Sequence, residues 1–221
     1  MIRLLLVAGA LWIPACSAGE PDETQVISLH QIDTIHIRHG STTLHVSATQ
    51  DEELGASLIA DDRGSGISFE NHKGKLTIDL NRDVARLLNL GNMPELQIRI
   101  PEEFNGKVSV AGSSGQVHIK DWNAGELEVR GKSGGIAMSF SEILNPVNVT
   151  ATSGNVRLTL DRPDAHVNWL LESSSGKRSV TFPLNNHEHT KRETLGQTGN
   201  GSTPVRIKTS SGSITVKLTD E

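Results

Sequence analysis

A chain of 221 residues with a formal net charge of −5 and 35% hydrophobic residues holds one sizeable domain or two small ones, without one deep globular core. Tyrosine is absent and the only aromatics are four Phe and three Trp, so the core has to be a thin file of Val, Ile and Leu. No basic stripe is visible along the chain; Lys177-Arg178 and Lys191-Arg192 are isolated pairs that read as solvated charge. This argues against nucleic acid as a partner, because such binders need a cationic face to displace phosphate counterions.

The N-terminus, MIRLLLVAGALWIPAC, places Arg3 before an apolar run from Leu4 to Ile13. That run is too short to span a bilayer as a helix but fits the apolar region of a signal peptide. The run ends in IPAC, where Cys16 is the only cysteine of the chain. The segment resembles the lipobox of bacterial lipoproteins, with Ala15 before the cleavage point and Ser17 after the cysteine. Pro14 and Ile13 depart from the residues that motif favours, and an ordinary cleaved signal peptide is the alternative. The resemblance implies a lipoprotein leader over residues 1–15 and a diacylglyceryl-modified Cys16 as the mature N-terminus. A polar, acidic tether then completes residues 16–25, and a single domain follows over 26–221. The expected location is therefore outside the cytoplasm, with the membrane as a partner through the N-terminal lipid. Downstream, no second apolar run approaches 18 residues, and no cysteine is left for disulfides or thiolate metal sites.

From Val26 onward the chain alternates apolar and polar residues, the pattern of strands with one buried face. Ile35 and Ile37, Leu44 and Val46, Ile67 and Phe69, and Leu76, Ile78 and Leu80 are the inward residues of successive strands. NRDVARLLNL (81–90) interrupts the alternation and predicts one or two helical turns. Strand periodicity resumes at ELQIRIP, with Leu96, Ile98 and Ile100 inward.

A repeated unit then begins. Its Ser-Gly pairs are Ser114-Gly115, Ser133-Gly134, Ser153-Gly154, Ser175-Gly176 and Ser211-Gly212, so the glycines step by 19, 20, 22 and 36 residues. An apolar pair precedes each glycine (Val108/Val110, Leu127/Val129, Val147/Val149, Trp169/Leu171, Val205/Ile207). A second pair follows it (Val117/Ile119, Ile136/Met138, Val156/Leu158, Ile214/Val216). The fourth repeat breaks the pattern with Arg178 before Val180, and a polar excursion over 184–204 follows, expected as a surface loop. Coils of about twenty residues with two short inward-facing strands predict an all-β solenoid, each coil burying its apolar file on the next. The Ser-Gly pairs then form corners, the glycine for its access to positive φ and the serine for hydrogen bonds to nearby backbone. Stacking in chain order would align Ser114, Ser133, Ser153 and Ser175 along one edge. An antiparallel sandwich is the alternative, less favoured because sandwiches do not require one turn sequence to recur in register.

The segments IDTIHIRHGSTTLHVSA, GKLTIDL, LQIRIPEEFNGKVSVAGSSGQVHI and GNGSTPVRIKTSSGSITVKL resemble a bacterial putative-adhesin family, from about Ile32 to Leu218. That family is a β-strand-repeat domain of unknown function on exported, envelope-attached proteins. The resemblance implies a β-solenoid-like fold and a cell-surface location, and it transfers no catalytic residue.

Polysaccharide lyases and hydrolases also occur on β-helices, so a carbohydrate-active enzyme is the alternative function. It would need carboxylates converging on one face, as ion ligands or as an acid/base pair. Asp51-Glu52-Glu53, Asp61-Asp62, Glu102-Glu103 and Asp161 with Asp164 all fall in turns or loops, none recurs at the coil period, and they read as solvated charge. Trp122 reads as packed over a coil corner. His36 and His45 would face each other across one ladder if Ile37 pairs with Leu44, with His39 in the connecting turn; these three are the candidates for a metal site. His187 and His189 form a looser second group. Neither spacing selects a metal, and no cofactor is expected. The expectation is a non-catalytic, lipid-anchored envelope protein for adhesion, interaction or accessory sensing of envelope stress. Its partners would be an envelope protein, a peptide or a cell-wall polymer.

Overall fold

A computed structural model describes residues 23–59, 66–80, 94–162 and 166–219. The leader 1–15, Cys16, the expected helical turns at 81–90, Asp61-Asp62 and Asp164 lie outside the described residues. Within them there is no helix. The strands are β1 (Glu23–Ile27), β2 (Thr34–Gly40), β3 (Thr43–Thr49), β4 (Leu54–Ile59), β5 (Ile67–His72), β6 (Lys75–Leu80), β7 (Glu95–Pro101), β8 (Lys107–Gly112), β9 (Val117–Lys120) and β10 (Glu126–Gly131). They continue as β11 (Ile136–Phe140), β12 (Val147–Ala151), β13 (Val156–Leu160), β14 (Val167–Ser173), β15 (Arg178–Val180), β16 (Asn185–His189), β17 (Glu193–Gln197), β18 (Thr203–Thr209) and β19 (Ile214–Leu218). β1 begins at Glu23, so the last residues of the expected tether, Glu23 to Gln25, belong to the domain.

Each coil places one strand in a ten-stranded sheet and, after a corner, one in a facing nine-stranded sheet. The alternation in the sequence dictates this: inward apolar residues of both strands leave the water together when the sheets face each other. Parallel pairing in register carries the files from coil to coil. In the ten-stranded sheet one file runs Leu76, Ile35, Val108, Leu127, Val147, Val205, Trp169. Facing it in the nine-stranded sheet is Leu96, Leu44, Val117, Ile136, Val156, Ile214. These residues are at most 2% exposed. The fold is therefore the expected β-solenoid.

The order of stacking is not the order of the chain. The coils lie as β6/β7, β2/β3, β8/β9, β10/β11, β12/β13, β18/β19, β14/β15. At the first end the second coil lies outside the first. At the other end the C-terminal coil sits between β12/β13 and β14/β15. The serine edge accordingly runs Ser114, Ser133, Ser153, Ser211, Ser175. Antiparallel strands flank both ends: β4 pairs with β7 and β1 with β4, β5 pairs with β6, and β17 pairs with β14 and β16 with β17. The 184–204 excursion is thus chiefly a hairpin that continues the ten-stranded sheet. Its outer strand, β16, is fully polar and interrupted by a bulge, a common way of blunting an open sheet edge.

The Ser-Gly glycines serve a different purpose from the expected one. Positive φ occurs at Gly40, Gly74, Gly199 and Gly201 and at none of the five repeat glycines. What those glycines permit is close stacking of one corner on the next. A Cβ on Gly115 would collide with the carbonyl oxygen of Thr42, on Gly134 with that of Gly115, and on Gly154 with that of Gly134. Gly212 stands in the same way on Gly154, and Gly176 on Gly212. The repeat serines are exposed, and among the described residues their hydroxyls make no hydrogen bond within the protein; they contribute backbone bonds, such as Ser133 N–H to Ser113 O at 2.8 Å and Ser211 N–H to Thr152 O at 2.9 Å. Buried hydroxyls three residues before a glycine do more. Ser173 Oγ accepts from Gly176 N–H at 2.8 Å and donates to Gly212 O at 3.0 Å. Thr209 does the same between Gly212 N–H and Gly154 O.

Candidate functional site: outward faces and corners

Once the apolar files are buried, the outward side chains fall into rows that cross the strands in register. On the ten-stranded sheet these rows are largely self-neutralising. Arg38 pairs with Asp79 at 2.5 Å, Lys107 with Glu128 at 2.9 Å and Glu126 at 3.2 Å, and Lys208 with Glu172 at 3.4 Å. Arg130 also reaches Glu128 at 2.5 Å. The hydrogen bonds from Lys107 hold the Glu128 carboxyl below its ordinary pKa, and Glu128 and Glu126 in turn raise that of Lys107.

The nine-stranded sheet differs. One outward row reads Arg99, Ser47, Lys120, Ser139, Thr159, Lys217 across six consecutive strands. The neighbouring row reads Gln97, His45, His118, Ala137, Arg157, Thr215. The His45 and His118 rings stack at 4.8 Å between centroids and 11° between planes, and His45 Nε2 lies 3.5 Å from Glu95 Oε2. Burial first, then the neighbouring His45 and Lys120, lower the pKa of His118. Sequence reading missed this basic face because its cations, Arg99, Lys120, Arg157 and Lys217, are 21 or more positions apart; only the coil period aligns them.

The three candidate metal ligands are not brought together. β2 and β3 lie in different sheets, so Ile37 does not pair with Leu44, and His36 and His45 point away from opposite faces. His39 is buried at the corner between them, its Nδ1 2.7 Å from the Thr42 carbonyl oxygen. His187 and His189 meet edge to face at 6.3 Å on the exposed β16. Among the described residues, no three His, Cys, Asp or Glu side chains are placed to hold a metal ion.

The acids are more ordered than expected. Glu102 and Glu103, Asp121, Glu142 and Asp161 occupy successive corners from the nine-stranded sheet back to the ten-stranded one, so they do recur at the coil period. Two shallow recesses open along this edge. One, of about 460 Å³, is lined by Asp33, Glu52, Glu103 and Phe104 among others. The second, of about 320 Å³, is lined by Glu102, Asp121, Asn123, Glu142 and the exposed Leu144. Trp122 is buried there, as expected, its Nε1–H donating to Gly125 O at 3.1 Å. A second glycine ladder holds these corners: a Cβ on Gly106 would meet Asp33 O, and one on Gly125 would meet Gly106 O.

Arg178, read from sequence as surface charge, closes one end of the solenoid. It occupies the inward position opposite Ile214 on the last strand of its sheet. Its guanidinium donates to Thr194 Oγ1 at 3.1 Å, to the Thr190 carbonyl at 2.8 Å and to the Ser173 and Lys191 carbonyls at 3.3 Å. A cation replaces the aliphatic rung where no further coil covers it, and it ties the hairpin down.

Stacked parallel coils, flanked ends and polar outward rows define a two-sheeted β-solenoid whose accessible chemistry lies on its faces and corners. The chain belongs to the Toastrack family of domains of unknown function (DUF4097), whose model matches residues 104–217, a little over half its length. It is similar to the solved structure of a putative cell adhesion protein from Clostridium sporogenes ATCC 15579, with 16% identity, a TM-score of 0.65 and coverage of 90% of this chain and 100% of that one. Weaker likenesses are to a putative adhesin from Bacteroides fragilis NCTC 9343 (12% identity, TM-score 0.37, 89% and 96% covered) and to a putative lipid binding protein from Parabacteroides distasonis ATCC 8503 (15%, 0.33, 92% and 98%). The first likeness speaks to the fold alone. No curated protein sequence matches the chain.

Proposed function

We propose that the protein is a non-catalytic interaction module of the cell surface, exported and held at a membrane by a lipid on Cys16. The observation that carries the interaction reading is the pair of outward faces, whose polar side chains stand in register across consecutive strands. Such a face makes many individually weak contacts at a fixed spacing, which suits adhesion to an extended partner better than turnover of a small substrate. The lipid anchor is supported by the apolar run before Cys16 and by its being the only cysteine. Metabolic labelling with a fatty-acid analogue tests the anchor: label is expected on the native chain and absent in Cys16→Ala. Label that persists in the variant overturns it.

The carbohydrate-active alternative draws support from the acidic edge. That reading requires a polymer to be shortened on incubation with the protein, and loss of that activity in Asp121→Asn or Glu142→Gln.

A further inference from the structure

We infer that the outward face of the nine-stranded sheet binds a linear anionic polysaccharide of uronate type, laid across the strands along the stacking axis. The inference deepens the interaction reading and rests on it. Strands in a sheet lie about 4.8 Å apart, so the row from Arg99 to Lys217 crosses five such steps and is roughly 24 Å long. Arg99 and Lys120 lie two strands apart, and Arg157, in the neighbouring row, stands two strands beyond Lys120. From β7 to β13 a cation thus stands on every second strand, and Lys217 adds one on the next strand, β19. One strand step is close to the length of one sugar unit in an extended chain, so the repeat of the face and the repeat of such a polymer match.

Three features select the polymer class. First, Arg99, Lys120 and Arg157 have no ion-pair partner among the described residues, whereas on the opposite face Arg38, Lys107, Arg130 and Lys208 pair with that face's own carboxylates. In a chain of net charge −5, a face with Glu95 as the one acid on its six central strands is complementary to an external anion. Guanidinium is the donor suited to bidentate contact with carboxylate. Second, the positions around the cations include Ser47, Ser139, Thr159, Gln97 and Thr215, hydroxyls and an amide able to bond sugar hydroxyls, beside the stacked His45 and His118 and the small Ala137. Third, the face lacks what the competing anions use. It offers no large apolar side chain to enter a lipid layer. It also offers no Trp or Phe as a base-stacking platform, since Trp122 and Trp169 are both buried.

The experiment titrates the purified full chain with polygalacturonate at low ionic strength, with neutral dextran, anionic phosphatidylglycerol vesicles and single-stranded DNA as separate arms. Binding to polygalacturonate is expected, weakening as salt screens the charges. The triple variant Arg99→Gln/Lys120→Gln/Arg157→Gln is expected to lose at least about tenfold in affinity while the opposite-face variant Arg206→Gln/Lys208→Gln keeps it. All five positions are outward on strands, and matched thermal unfolding of both variants shows that the fold is intact. Equal affinity of the two variants, no binding by the native chain, or tighter binding of vesicles or DNA overturns the inference. Polymer length is measured in the same samples: shortening overturns the non-catalytic reading while leaving the binding face in place.

Discussion

Gly212 rests directly on Gly154, one corner of backbone against another, although a complete coil and a hairpin separate the two in sequence. The repeat glycines are therefore contact residues between coils, selected because the position of a Cβ is already filled by a neighbour's carbonyl. Gly154→Ala places a methyl against the Gly134 carbonyl oxygen, where backbone has to move. Overpacking of this kind costs roughly 1–3 kcal/mol or more. Gly131→Ala is the control, since its Cβ would meet Ile136 Cδ1 at 3.4 Å, an ordinary contact, and a change within about 1 kcal/mol is expected. Urea unfolding of both variants checks the pair, and equal destabilisation would refute the stacking account.

The C-terminal coil sits inside the stack, so its removal differs from trimming an end. In a sequentially stacked solenoid, loss of the last coil removes one nearest-neighbour interface and leaves the rest standing. Here, deleting residues 203–221 takes away the partner of both β12/β13 and β14/β15. Hydrogen exchange should then show β14 and β15 unprotected, together with the β16–β17 hairpin, while β8 to β11 keep their protection. Direct closure of β14 onto β12, seen as full protection of β14 in the truncated chain, would contradict this.

Arg178 binds the last coil to its hairpin through four acceptors, on Thr190, Lys191, Glu193 and Thr194. Hydrogen bonds from a charged donor contribute about 1.5–3 kcal/mol where they are shielded from water, and this side chain is half-buried. Arg178→Ala should destabilise the end of the stack by about 1–2 kcal/mol and speed proteolysis within 184–204. Arg178→Lys should recover little, because an ammonium cannot reach the same fan of carbonyls. Cleavage rates equal to those of the native chain would show the hairpin to be held by β14–β17 pairing alone.

The coil period, the inward residues and the corner positions were legible because each follows from alternation and from a short recurring string. The order of the coils was not, since nothing local distinguishes a coil that stacks next from one that stacks later. Arg178 looked like surface charge for a related reason: its inward position is visible in the repeat, but its acceptors belong to a hairpin that read as loop. The basic rows and the acidic edge depend on which faces the coils share, and both became visible only once strands far apart in sequence lay side by side. The pairing of His36 with His45 failed because their strands, adjacent in the chain, turn a corner into different sheets.

His39 makes stability depend on pH. Its ring is 1% exposed and packs over Gly112. Its Nδ1 lies 2.7 Å from the Thr42 carbonyl oxygen, so Nδ1 carries the hydrogen and donates it. Nε2 is buried without a partner among the described residues, and protonating it would bury both a charge and an unused donor. Burial accordingly pushes the His39 pKa below the ordinary value of 6.5, and burial is also the leading cause of the lowered values of His36 and His118. The unfolded chain therefore takes up protons at a higher pH than the folded one does, and stability rises with pH across that interval. The contribution is complete above about pH 6.5 and is lost as the pH falls through the folded-state value. Thermal unfolding followed from pH 7.5 downward, a range set by the ordinary histidine pKa of about 6.5, should show a decline in melting temperature that is shallower in His39→Gln. A decline unchanged in His39→Gln but flattened in His118→Gln would assign the effect to the stacked pair on the outer face instead.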